Sequence, residues 1–86
     1  MPYIKPEDRT KYEVLVNEMC HSDIQSAGEL NYLITQLVYN FMSSRGESYQ
    51  SYNDVMGALE GAKLELYRRS ISAYEDEKIK TNGDVP

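Results

Sequence analysis

Between Ser26 and Gly46 the chain carries the pattern that most limits its fold. Ser26 and Glu29 have the spacing of a capping box, and Leu30, Leu33, Ile34, Leu37, Val38, Phe41 and Met42 then recur three and four residues apart. Gly46, after Ser43, Ser44 and Arg45, has the position of a C-cap in the left-handed region. A run with this period sits as an amphipathic helix and not as a strand.

Two further segments share the period. A first helix is predicted from near Pro6, where proline pre-sets a helical φ and Glu7 and Asp8 suit the positive end of the dipole. Tyr12, Leu15, Val16 and Met19 give it one apolar face, and the polar residues around Ile24 end it near Cys20 to Asp23. A third helix is expected after a loop over 47–53, capped by Ser51 or Asn53 with Asp54 in its first turn. Val55, Leu59, Ala62, Leu66 and Ile71 form its buried set, with Tyr67 and Tyr74 at the margin, and Asn82-Gly83 stops it. Unbroken from Asp54 to Lys80, it would span about 40 Å at roughly 1.5 Å per residue. That exceeds what a small monomer needs, so either it breaks near Ser70 to Ser72 or its far end packs on another subunit.

The fold class is therefore all-α: a small three-helix domain over residues 1–86 with a long C-terminal helix, helices two and three buried against each other, and a flexible tail over 81–86. At 86 residues the chain leaves a large share of its surface outside any core, which favours a homo-oligomer.

A net charge of −5 repels a phosphate backbone and argues against long nucleic acids as partners. No segment reaches the length of a membrane span, since Leu30 to Met42 is broken by Asn31, Thr35, Gln36 and Asn40. The single cysteine and an N-terminus without an apolar leader point to the cytoplasm. Eight tyrosines against one phenylalanine and no tryptophan suit wet interfaces and ligand pockets better than a dry core.

Several blocks stand in order along nearly the whole chain: Met1-Pro-Tyr-Ile-Lys-Pro-Glu-Asp-Arg9, Gly28-Glu-Leu-Asn-Tyr32, Asn53-Asp-Val55 with Gly57-Ala-Leu-Glu60, Lys63-Leu-Glu65 with Tyr67-Arg-Arg69, and Tyr74-Glu-Asp76 with Asn82-Gly-Asp-Val85. Together they resemble a family of small, functionally uncharacterised proteins found across bacteria and their phages. The family pattern has a tyrosine after the last block where this chain has Pro86, so no role for a terminal aromatic carries over. The resemblance implies no activity. It does imply a phage setting, in which small non-enzymatic proteins block or sequester a component of host defence.

Catalytic chemistry finds little to work with. Cys20, His21 and Asp23 are near in sequence, but adjacent helical residues point about 100° apart, and a structural zinc site needs four ligands. Glu75-Asp76-Glu77 reads as a solvated face. Gly46-Glu-Ser48 lacks the spacing of a phosphate loop. No catalytic residue, metal or cofactor is expected. Gly57, Ala58, Gly61 and Ala62 make a narrow smooth strip, read as tight packing within the monomer or close approach of a second subunit or ligand.

The candidate ligand site is a basic cluster inside an acidic protein. Lys63, Arg68, Arg69 and Arg45 would hold the phosphates of a small anionic, nucleotide-type ligand, since guanidinium forks match phosphate oxygens. Tyr49 and Tyr52 would stack on a base and Asn53 would read a polar edge. The competing reading makes the arginines surface ion pairs with Glu60, Glu65 and Glu75. Two functions follow: a non-enzymatic binder that sequesters a nucleotide-type signal of an antiphage defence, or a protein-interaction module that binds a host or phage protein.

Overall fold

A computed structural model describes residues 3–86; Met1 and Pro2 of the N-terminal block lie outside the described residues. The described residues form three helical rods and no strand. They group into two compact units, residues 3–55 and residues 56–86.

In the first unit, α1 covers residues 6–20 as an α-helical turn Pro6–Arg9, a tighter 3₁₀ turn Thr10–Tyr12 and an α-helix Glu13–Cys20. Arg9 Nε donates to the Ile4 carbonyl at 2.9 Å, which ties the helix entry to the strand of chain before Pro6. At the other end Ser22 Oγ donates to the Glu18 carbonyl at 2.9 Å, and His21 Nδ1 donates to the Asn17 carbonyl at 2.8 Å. These side chains occupy the orphan carbonyls of the last turn.

The helix α2 is Ala27–Arg45. Its predicted cap is present: the Glu29 amide donates to Ser26 Oγ at 3.1 Å, and that hydroxyl donates to Glu29 Oε1 at 3.0 Å. Gly46 ends the helix, its amide reaching the Met42 carbonyl at 2.7 Å. Its backbone, at φ 87° and ψ 161°, is not the left-handed helical cap expected; it lies in a region essentially reserved for glycine.

The third rod, α3, starts earlier than the sequence suggests. It runs over residues 49–82 as Tyr49–Leu66, a π-helical turn Tyr67–Ile71 and Ser72–Asn82. The cap is Ser48, whose hydroxyl accepts from the Ser51 amide and donates to Ser51 Oγ, both at 3.0 Å. Ser51 and Asn53 therefore stand inside the helix, and the loop shrinks to residues 46–48. Gly46 turns the chain sharply enough that a capping serine two residues later suffices. Of the two alternatives for this long helix, the break near Ser70 to Ser72 does not occur, and a π turn stands there instead. There the Ser72 amide bonds the Tyr67 carbonyl and the backbone stays right-handed helical on both sides. Gly83 stops the rod, donating to the Ile79 carbonyl at 2.8 Å.

The expected core is corrected. No hydrophobic side chain among the described residues is buried: Leu30, Leu33, Ile34, Leu37, Leu59, Leu66 and Ile71 are all exposed, Leu37 at 52 %. The less exposed apolar residues of the first unit are Val38, Phe41 and Met42 near the end of α2 and Val55 in α3, and the one buried residue is Ser51. In residues 56–86 the less exposed positions are Gly61, Glu65 and Ser72 and not the expected Leu59, Ala62, Leu66 and Ile71; helical period proposes a face but cannot say what covers it.

Candidate functional site

The seven predicted ligand residues divide between the two units. Arg45, Tyr49, Tyr52 and Asn53 belong to residues 3–55, and Lys63, Arg68 and Arg69 to residues 56–86.

In the first group, helical spacing sets Tyr49, Tyr52 and Asn53 on one side of the opening turns of α3, with Tyr49 87 % exposed. Carboxylates attend this turn. The Tyr52 hydroxyl is held above its ordinary value, first by the desolvation around it and then by the charge of Glu47, whose carboxylate also takes its hydrogen bond. Arg45 lies over the Phe41 ring, 4.8 Å from its centre, and stands 3.9 Å from Asp54. Gln50 Nε2 donates to the same Asp54 at 2.7 Å. One guanidinium beside Asp54, in a group where Tyr52 faces Glu47, does not make an anion site.

The second group is denser in positive charge. Glu65, its side chain 18 % exposed, accepts from Arg68 Nη2 at 2.7 Å and from Arg69 Nε through the same carboxylate oxygen. The two arginines stand three and four residues beyond it, at the spacing where helical side chains meet. Arg68 and Arg69 sit on the π turn itself. Lys63 reaches Glu60 at 3.5 Å. Two arginines thus share one carboxylate, and residues 56–86 together carry five cations against six carboxylates. Glu75 is not among these partners; the acidic run beside it contributes Glu77, paired with Lys80 at 3.1 Å.

Reading from sequence missed Glu47, Asp54 and Phe41 as the neighbours of Tyr52 and Arg45. Their signal was spacing: Asp54 stands four residues after Gln50, and Phe41 four before Arg45. His21 is turned to the backbone of its own helix, and no cluster of three metal-ligating side chains occurs among the described residues. An open concavity on the first turns of α2 is lined by Ala27, Gly28, Asn31, Tyr32 and Thr35. Thr35 Oγ1 is already spent on the Asn31 carbonyl at 2.8 Å. No helix among the described residues is long and apolar enough to cross a membrane.

A family model described as a Domain of unknown function (DUF6899) matches residues 1–85, and the chain belongs to that family. No curated protein and no solved structure matches it.

Proposed function

We propose that this member of the family works by association and not by catalysis, as a non-enzymatic protein-interaction module. The observation that carries the reading is the placement of its large apolar side chains. Val14, Leu15, Val16 and Met19 on α1, Leu30 and Leu37 on α2, and Met56, Leu64 and Leu66 on α3 all face outward. Apolar area in contact with water costs about 25 cal/mol per Å², so faces of this kind drive association. Tyrosine, methionine and arginine are also the types enriched where proteins meet. The test is native mass spectrometry of protein purified gently from cells. An assembly of this chain, or a complex with one stoichiometric protein, is expected; a bare monomer at every concentration overturns the reading.

A second reading is favoured by the gathering of two arginines on the one carboxylate of Glu65, with Lys63 two residues before it. Here Lys63, Arg68 and Arg69 take the phosphates of a small nucleotide-type anion, and the protein sequesters it in the phage anti-defence setting that the family resemblance implies. The same spectrum tests it, since a bound species of a few hundred daltons, as an order of magnitude for one nucleotide, would leave on denaturation. Replacing Arg68 and Arg69 together by alanine should abolish that binding while the helical circular-dichroism signal stays; retained affinity sinks the second reading.

A further inference from the structure

Asn82-Gly83 is the one Asn-Gly pair in the sequence, and it stands where α3 stops, with Asn82 the last helical residue and exposed. Asn17, Asn31, Asn40 and Asn53 each precede a residue with a side chain and lie inside a helix, where the amide that follows is held in the helical ladder. Gly83 differs on both counts. It has no side chain to crowd its nitrogen, and a Cβ at that position would meet nothing within 4 Å, so the space around the pair is open. Its backbone has left the helix, at φ 83° and ψ 154°. Its amide is engaged by the 2.8 Å donation to the Ile79 carbonyl.

We propose that Asn82 is a modification site at which the chain converts its own asparagine to aspartate and isoaspartate through a cyclic imide, at a rate set by opening of the last turn of α3. When Gly83 leaves the Ile79 carbonyl, its amide gives its proton to hydroxide and the nitrogen attacks Asn82 Cγ. The bond between the Gly83 nitrogen and Cγ forms, the Cγ–Nδ2 bond breaks, and Nδ2 takes a proton from water and leaves as ammonia. Water then opens the imide: scission at Cγ gives aspartate, and scission at the Asn82 backbone carbonyl carbon gives isoaspartate. Water is the co-reactant, and nothing is oxidised or reduced. The gate is the final helical turn. Besides the Gly83 bond, Thr81 Oγ1 donates to the Lys78 carbonyl at 3.2 Å and Lys80 Nζ reaches Glu77 at 3.1 Å, all at exposed positions. Bonds of this kind at a helix end open at the low end of the range of local stabilities, so the reaction proceeds from a minor open state and is slowed without being stopped. The product does not restore the turn. Its new carboxylate adds to the net charge of −5 at the negative end of the helix dipole, and the extra backbone methylene of isoaspartate takes Gly83 out of register with Ile79.

The test follows the full chain by peptide mass spectrometry during incubation in buffered water labelled with heavy oxygen, in which a converted residue takes up the label. The folded protein is compared with the same chain in concentrated guanidinium chloride. Conversion at Asn82 should outrun that at Asn17, Asn31, Asn40 and Asn53 and give both products. It should be about tenfold slower in the folded protein than in denaturant, which corresponds to about 1.4 kcal/mol for opening the turn. Thr81→Gly loosens the last turn and should raise the folded-state rate about threefold while the rate in denaturant stays the same. Gly83→Ala places a side chain beside the attacking nitrogen and should slow conversion in both conditions. If Thr81→Gly disturbs the fold, the comparison of the unaltered chain in the two conditions still decides. No conversion of Asn82 in the folded protein by the time the denatured chain has reacted fully overturns the site, as does faster conversion at another asparagine. Equal rates in the two conditions overturn the gate.

Discussion

At the scale of single residues, positions with a defined chemical duty give the sharpest expectations. Gly46 holds a backbone conformation that a Cβ would strain, with nothing within 4 Å to complicate the comparison. Gly46→Ala should therefore lower stability by about 1–3 kcal/mol in thermal or urea unfolding. Ser26→Ala removes the acceptor of the Glu29 amide and should cost about 1 kcal/mol by the same measure. Tyr52 gives a pH dependence. Its folded pKa is raised above the unfolded value of 10.0 by desolvation and by Glu47, so the fold prefers the neutral phenol. The stability this contributes is complete below pH 10.0 and is lost as pH rises through the folded value. In an ultraviolet titration of tyrosinate, Glu47→Gln should move that ionisation downward and Tyr52→Phe should remove it. The Ser26 cap was legible because a capping box has fixed spacing. The Ser48 cap was not, since Ser48, Ser51 and Asn53 all offer the same oxygen chemistry and only the turn at Gly46 selects among them.

At the scale of elements, the sequence carried the helical class, the cap and stop of α2 and the stop at Gly83, because each is set by local chemistry. It also held a clue to the π turn. Leu66 and Ile71 stand five residues apart, which in a regular α-helix would leave them about 140° out of line. A turn with bonds between residues five apart brings them back toward one face. The break considered near Ser70 came from the length of the helix and not from this spacing, so the clue went unread. The smooth strip allows a cleaner experiment. A Cβ at Gly57 would meet nothing within 4 Å, so packing inside the described chain does not explain the glycine there. Gly57→Ala should raise the stability of the isolated chain by up to about 1 kcal/mol. A destabilisation read in the assembled protein would mean that another molecule closes on that position.

At the scale of the whole molecule, the sequence said which faces were apolar and could not say which chain covers them, since period reports a face and never its partner. If the chain associates with itself, its stability is tied to mass action, and its melting temperature should rise with protein concentration. Because each copy carries a charge of −5, added salt should screen the repulsion and shift sedimentation toward the larger species. The candidate site was legible only as a set of residue types. Arginines are easy to see in a sequence, whereas the sharing of one Glu65 oxygen by two of them depends on a carboxylate that had appeared only as one of several neighbours. The π turn has a last consequence, for heredity. A single codon lost between Tyr67 and Ile71 would restore a regular α-helix without breaking the chain, and because the π turn takes up one extra residue, the side chains from Ser72 to Asn82 would keep close to their present faces. The π turn is thus slack in the length of the gene: in this stretch a loss of one residue preserves both the rod and the aim of its far end.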